Sequence, residues 1–377
     1  MNLDKIVMIG PVYPYKGGIS HYTSLMYRSL SQKYNVYMMS YKVQYPRFLF
    51  KKEQKDYGND TFRIDDTDFY IDTANPANWL RTVKRIRQLK PDLIIIQWWH
   101  PYFAPCYWSI CKGLKNTPIM FLCHNVFPHE RFPLDHFLTK HTLVNGNFFI
   151  VHSSMDETDL KKINPHSLYK KTVLPTYNAF KLQNLSKKDG RDQLGIKATE
   201  RVLLFFGFVR KYKGLIHLLR AMPIVREKLP DIKLLIVGDF YEDKLFYVNS
   251  IKELNIENCV KIHEGYIPDK EVEKFFAASD LVVLPYESAT QSAIVQIAYG
   301  FEKPVIATNV GGLPEVVLDR KTGYIVESQN STVLAQQIIR FFKENKASEF
   351  HQGIKEESYR YSWERMAETV ENLYDHK

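Results

Sequence analysis

The sequence predicts two doubly wound α/β domains in tandem, and three observations carry that prediction. The chain has 377 residues, more than one hydrophobic core usually serves. Short apolar runs of the buried parallel-strand kind alternate with amphipathic stretches in both halves. Hydrophobic residues make up 45 % and charged residues 25 %, ordinary globular usage that excludes a disordered, collagenous or coiled-coil chain. Chemistry is expected in the cleft between the two domains.

The first half opens as strand, loop, helix. Residues 5–10 (Lys-Ile-Val-Met-Ile-Gly) form a buried strand, the loop 11–18 ends in Gly17-Gly18, and residues 19–34 repeat apolar side chains at helical spacing. Further strands are expected at 35–40, 93–97, 119–124 and 148–152, with room for helices between them, so the sheet is mostly parallel and covered on both faces. Residues 176–195 are polar and weakly patterned and read as a linker. A second series follows. Strands are expected at 201–207, 233–238, 261–263, 281–284 and 305–308, and helices at 215–229, 244–254, 270–278 and 292–299. A last helix at 363–374 lies beyond the second sheet and is expected to return to the first domain. The expected domains are 1–178 with 362–377, and 179–361.

Several classes drop out. The longest apolar runs, such as 203–209, fall far short of the roughly 18–20 residues that span a bilayer. The first ten residues lack the basic, apolar and small-residue pattern of a secretory signal. Four cysteines, Cys106, Cys111, Cys123 and Cys259, form no CxxC pair, which suits free thiols in a cytoplasmic protein and argues against a zinc site. Charge is divided unevenly. Residues 1–180 hold 23 Lys and Arg against 14 Asp and Glu, whereas 181–377 hold 28 of each, so the excess of +9 lies in the first half. An anionic partner for that half accounts for the asymmetry, and a generally basic proteome is the bland alternative.

Two loops carry the chemistry. In Gly207-Phe208-Val209-Arg210-Lys211-Tyr212-Lys213-Gly214 a strand ends in glycine and a cationic loop runs into a helix. A bound anion there meets Arg210, Lys213 and the positive helix end, and a departing nucleoside diphosphate is the natural occupant. A solvated basic turn is the competing account. In Leu284-Pro285-Tyr286-Glu287-Ser288-Ala289-Thr290-Gln291-Ser292-Ala293 small polar residues again stand between a strand and a helix N-terminus. Backbone amides with Thr290 and Ser292 suit phosphate or sugar hydroxyls, and capping by Ser292 without any ligand explains the pattern equally well.

The order and spacing of Leu204 to Gly207, Lys213-Gly214, Ile236 to Asp239, Glu264-Gly265-Tyr266, Ala278 to Pro285, Lys303 to Glu315 and Thr322-Gly323-Tyr324 resemble the retaining glycosyltransferases of family 4 across nearly the whole second half. Gly17-Gly18-Ile19, Gln97 to His100, Cys123-His124-Asn125, Val151-His152-Ser153 and Trp363-Glu364 extend the likeness more loosely. The resemblance implies a GT-B fold of two Rossmann-like domains, the acceptor held by the first and the donor by the second, with neither metal nor cofactor. A UDP- or GDP-sugar is then the substrate. By the same resemblance Lys213 falls on the diphosphate-binding lysine, Gly17 and Gly18 on the loop approaching the donor phosphate, and His124 on the histidine near the transferring sugar. Glu287 and Tyr266 lie in the loops expected to contact base and sugar.

Two departures from the family pattern stand out. Its arginine directly follows the glycine, where this chain has Phe208, so Arg210 takes that role from two residues on. Its paired glutamates are absent, Ala289 and Ile297 occupying their places, with Glu287, Gln291 or Gln296 as stand-ins.

Other motifs are less specific. Asp66-Thr67-Asp68 has the form of a DxD metal motif in an acidic, strand-poor stretch and is too short to be diagnostic. Neither GxGxxG nor a P-loop occurs. His100, after Trp98-Trp99, either touches acceptor or finishes a strand. Residues 41–52 interleave aromatic and basic side chains, and Arg81, Lys84, Arg85 and Arg87 form a second basic cluster. Such surfaces suit an anionic membrane, and no nucleic-acid motif accompanies them. The reading is a metal-independent transferase moving a sugar from a nucleoside-diphosphate donor to a glycan or lipid-linked acceptor, in the cytoplasm or on the inner face of the membrane. A nucleotide-sugar epimerase and a non-catalytic nucleotide-sugar-binding module are the rivals.

Overall fold

Wherever strands in this sequence are apolar on both faces they pair in parallel, and the chain sorts into two such sheets. The computed structural model describes residues 3–50, 53–58, 60–128, 131–241 and 243–376. β1 (Lys5–Ile9), β2 (Asn35–Val43), β3 (Asp68–Asp72), β4 (Leu93–Trp98), β5 (Ile119–Cys123), β6 (Phe148–Val151) and β7 (Leu168–Lys171) make the first sheet, in the order β3-β2-β1-β4-β5-β6-β7. Its helices are α1 (Gly18–Leu30), α2 (Pro76–Leu89), α3 (Ala104–Gly113), α4 (Asp135–Leu143) and α5 (Ser154–Ile163).

The second sheet holds β8 (Arg201–Phe206), β9 (Ile232–Gly238), β10 (Val260–Glu264), β11 (Leu281–Leu284), β12 (Val305–Thr308) and β13 (Gly323–Val326), in the order β10-β9-β8-β11-β12-β13. With it go α6 (Lys187–Leu194), α7 (Leu215–Lys228), α8 (Lys244–Glu253), α9 (Asp269–Ala278), α10 (Ala293–Gly300), α11 (Leu313–Val316), α12 (Ser331–Lys343) and α13 (Ala347–Glu356), and α14 (Trp363–Asp375) ends the chain. Every neighbouring pair of strands is parallel. This is the doubly wound class read from the sequence.

The two compact units are Met1–Val173 with Ser362–Lys377, and Leu174–Tyr361. In each, the first strand lies between the second and the fourth, so the winding reverses there. In open parallel sheets the crevice for ligands lies outside the carboxyl ends of the strands at that reversal. The topology therefore singles out the loops after β1 and β4 in one unit and after β8 and β11 in the other. Central strands carry the core because both their faces are covered: Leu-Ile-Ile-Ile-Gln-Trp of β4 is buried throughout. α14 joins the first unit through an apolar stripe of Met366, Ala367, Val370, Leu373 and Tyr374. Ser29 Oγ donates to the Trp363 carbonyl at 3.1 Å, and Lys33 pairs with Glu371 at 3.0 Å.

Two expectations from the sequence are corrected. Residues 176–195 are not a plain linker. Ser186 and Asp189 form a capping box that starts α6, and Gly195 ends it at φ 64°. Its polar residues conceal burial: Arg191 donates to the carbonyls of Ala278 and Ala198 and pairs with Asp280, while Glu273 accepts from the amides of Leu182, Gln183 and Leu185. The stretch around Asp66 is not strand-poor either. Asp68 opens the edge strand β3, where Tyr37 Oη donates to it at 2.8 Å and Arg85 pairs with it at 2.6 Å. Edge strands β3 and β7 are half exposed and lack an apolar run, and neither they nor β13 were among the expected strands.

Candidate active site

In the second unit the site begins where β8 ends. Gly207 adopts φ 103° and the turn 211–213 closes on Gly214 at φ 63°, which opens α7. Gly214 is required by contact as well as by φ, because an added Cβ would lie 2.0 Å from the Pro285 carbonyl oxygen at the end of β11. The two loops flanking the reversal are thus packed backbone to backbone, and the Glu287 amide donates to the Tyr212 carbonyl at 2.7 Å.

Lys213 folds beneath Gly207. Its ammonium stands 3.0 Å from where a Gly207 Cβ would be and 5.6 Å from the Tyr286 ring centroid. The residue is 9 % exposed, and among the described residues no carboxylate lies within ion-pair distance of it. Burial, and then the charge of Arg210, lower its pKa to about 8. Lys303 makes the contrast. It too is buried and lowered to about 8 by burial, but it donates to the carbonyls of Ala277 and Ser279 and has Asp280 nearby. Lys303 is thus hydrogen-bonded and has a carboxylate nearby, whereas Lys213 is buried with the charge of Arg210 beside it.

The other expected residues are placed as follows. Arg210 lies over the Tyr241 ring at 4.7 Å. Glu287 Oε1 is 2.8 Å from His217 Nε2, so a histidine on the first turn of α7 holds the carboxylate of the neighbouring loop. Ser292 caps α10, accepting from the Ile294 amide at 3.3 Å. Of the two accounts left open for it, capping has a direct bond. The carbonyl of buried Thr290 accepts from the Gly312 amide at 2.9 Å, and Gln291 packs against Gly312, whose Cβ would lie 2.3 Å from Gln291 Nε2. Tyr266 follows β10, two strands from β8. Ala289 and Ile297, in the places of the family's glutamates, are buried. The amide of Gln296 is also buried, and neither of its polar atoms has a partner among the described residues.

In the first unit, β1 leads through Gly10 to Gly17 and Gly18. Gly10 lets β1 approach β4, since a Cβ there would meet Gln97 at 2.5 Å. Gly17 at φ 109° precedes α1, which has no side-chain cap and no acidic residue in its first turn, and a Cβ at Gly17 or Gly18 would meet nothing within 4 Å. That helix end has room for an approaching anion. His124 follows β5. Its amide donates to the Trp98 carbonyl at 2.8 Å and its Nε2 lies 2.8 Å from Gln97 Oε1. Gln97 turns its amide nitrogen to Met26 Sδ at 3.9 Å, so its oxygen faces the ring and accepts from Nε2–H. Nδ1 then keeps a lone pair for a hydroxyl donor. Burial, then the neighbouring His152, push His124 well below the usual histidine range.

His100 has a local role, in which Nδ1 accepts from the Tyr102 amide at 3.0 Å and the ring stacks on Phe132 at 5.7 Å. Sequence reasoning missed His217, Tyr286, Gln97 and Tyr22, whose ring stands edge-on to His124 at 4.8 Å. Only their positions on the first turns and strand ends beside the named loops signalled them.

The buried histidines imply a pH dependence. Burial lowers His152 to about 4, its Nδ1–H donating to the Thr172 carbonyl at 2.8 Å. An unfolded histidine takes its proton near 6.5. Stability is therefore complete above about pH 6.5 and is lost as pH falls toward 4, at on the order of 1.4 kcal/mol per pH unit for each histidine. Tm followed from pH 7 to 4 should fall, and His152→Gln should flatten the slope. A level wild-type profile contradicts this account.

Residues 186–360 match the family described as "Glycosyl transferases group 1". A D-inositol 3-phosphate glycosyltransferase of Corynebacterium aurimucosum is 28 % identical over 190 residues, 49 % of this chain and 45 % of that protein. A lipopolysaccharide 1,2-N-acetylglucosaminetransferase of Salmonella typhimurium is 31 % identical over 192 residues, 48 % of this chain and 50 % of the other. The chain thus spans about half the length of these curated relatives. Among solved structures, HepE of Anabaena in complex with UDP aligns over 100 % of both chains with a TM-score of 0.74 at 17 % identity. Another structure of that protein contains UDP-glucose. The likeness establishes the GT-B class for the fold.

Proposed function

We propose that this chain is a retaining glycosyltransferase of family 4 that moves a sugar from a nucleoside-diphosphate donor to an acceptor hydroxyl without a metal ion. One observation carries the reading: the Lys213 ammonium, buried and, among the described residues, without a carboxylate in ion-pair distance, at the winding reversal of the second sheet. UDP- and GDP-sugars are the candidate donors, and the UDP and UDP-glucose bound by HepE support the former. A glycan or lipid-linked glycan is the acceptor.

The bond from the anomeric carbon to the diphosphate breaks with its electron pair going to oxygen, and Lys213, Arg210 and the amides near Thr290 and Ser292 stabilise that charge. The acceptor oxygen bonds to the same face of the carbon, and its proton leaves with the departing phosphate. His124 Nδ1 accepts from a hydroxyl of the sugar and positions it. Gly17 and Gly18 let the α1 amides approach the phosphate. A non-catalytic nucleotide-sugar-binding role has one observation in its favour, the buried Ala289 and Ile297 in the glutamate places.

Incubation with UDP-, GDP- and ADP-sugars in EDTA, with a lipid-extract acceptor, separates the readings. Donor-dependent release of nucleoside diphosphate with a glycosylated product is expected. Saturable donor binding without release assigns the binding role, and an altered sugar on intact nucleotide assigns an epimerase.

A further inference from the structure

The loops after β8 and β9 stay zipped together beyond Gly207 and Gly238. The Val209 amide donates to the Asp239 carbonyl at 2.9 Å, the Tyr241 amide donates to the Val209 carbonyl at 3.1 Å, and Val209 and Phe240 form a parallel bridge. Glycine permits the approach, since a Cβ at Gly238 would lie 2.2 Å from the Gly207 carbonyl oxygen. Side chains along an extended segment alternate between its faces. Val209 is buried in the core of the second unit, so Phe208 and Arg210 turn to the opposite face, and Arg210 is itself extended at φ −130° and ψ 151°.

One ring on the neighbouring loop meets both of them. Tyr241 stands edge-on to Phe208 at 4.8 Å and lies under the Arg210 guanidinium at 4.7 Å. Phe208 is 39 % and Tyr241 37 % exposed, so hydrophobic burial is a weak account of the pair. Arg210 is also close enough to Lys213 for its charge to oppose protonation of that ammonium. The ring therefore fixes one cation beside another. Position 208, where the family 4 pattern has its arginine, lies on the same face as 210, about 6–7 Å along the segment. An arginine shifted by two residues keeps its face but needs a support at its new place.

We infer that Tyr241, braced by Phe208, is a positioning residue that holds the Arg210 guanidinium toward the donor diphosphate, in place of the cation that the family 4 pattern has at 208. This deepens the reading above and rests on it for the diphosphate.

The test is calorimetric titration of the full chain, in EDTA, with UDP and with inorganic pyrophosphate, which has the two phosphates and no base. Arg210→Met should weaken both ligands by about tenfold or more, and Tyr241→Leu should weaken both by about two- to fivefold. Tyr241→Phe keeps the ring and should restore wild-type affinity. In the Arg210→Met background Tyr241→Leu should cost nothing further, because the ring then supports no cation. Phe208→Arg in that background returns a cation to the same face and should recover about fivefold or more in pyrophosphate affinity. A Tyr241→Leu variant that weakens UDP but not pyrophosphate makes the ring a platform for the base and overturns the inference. So does a Tyr241→Leu loss that persists in full without Arg210, or a Phe208→Arg change that recovers nothing. If Lys213→Ala weakens pyrophosphate while Tyr241→Leu binds as wild type does, this inference fails alone; if the wild-type chain binds neither ligand, the donor site falls with it.

Discussion

Lys213→Ala is expected to lower kcat by about 10²–10³ while leaving Tm unchanged or raised. The first half follows from where the charge develops: a diphosphate leaving group gains its negative charge as the glycosidic bond breaks, and the ammonium beneath Gly207 is fixed there before reaction. The second half follows from the missing partner. Removing a buried cation that no carboxylate among the described residues faces relieves desolvation and repulsion from Arg210, so the fold gains or holds. Lys303→Met supplies the control, since it strips the Ala277 and Ser279 carbonyls of a donor and should lower Tm. Because Lys213 is lowered to about 8, anion affinity should decline as pH rises through that value. Isothermal titration with UDP from pH 7 to 9, beside turnover assays and thermal melts of both variants, checks these outcomes. Turnover of Lys213→Ala within a factor of two of wild type removes the assignment.

What could be read in the sequence follows from burial. β1, β4, β8 and β11 are covered on both faces and show as apolar runs, so the alternation and the reversal points were legible. β3 and β7 lie at the sheet edge with mixed exposure and carry no apolar run, although β10, an edge strand of like exposure, was foreseen. α6 was lost because its buried charges are paired with residues about 90 positions away. The same distance divides the site into what could and could not be foreseen. Gly207, Arg210, Lys213 and Gly214 lie within one turn and announce an anion locally. The pairing of His217 with Glu287 spans 70 positions, and nothing in either segment specifies the other. His100 was foreseen as acceptor-side or strand-terminal, and its bond to the Tyr102 amide shows a capping role.

Gly214→Ala is expected to be the most damaging single-methyl change in the second unit. Alanine at φ 63° costs about 1–2 kcal/mol, and a Cβ 2.0 Å from the Pro285 oxygen forces the strand end to move, typically another 1–3 kcal/mol. Movement there carries Tyr286 and Glu287 away from Lys213 and His217, so UDP affinity should fall at least about tenfold, equivalent to about 1.4 kcal/mol. Gly195→Ala isolates the backbone part. Gly195 has φ 64° and nothing within 4 Å of an added Cβ, so its variant should lose only the first 1–2 kcal/mol and bind UDP as wild type does. Urea unfolding and calorimetric titration of both variants decide the matter. Equal losses would mean that the backbone-to-backbone packing of the two loops does not position the lysine. A Gly214→Ala protein that binds UDP normally would mean that the donor site does not lie where these loops meet.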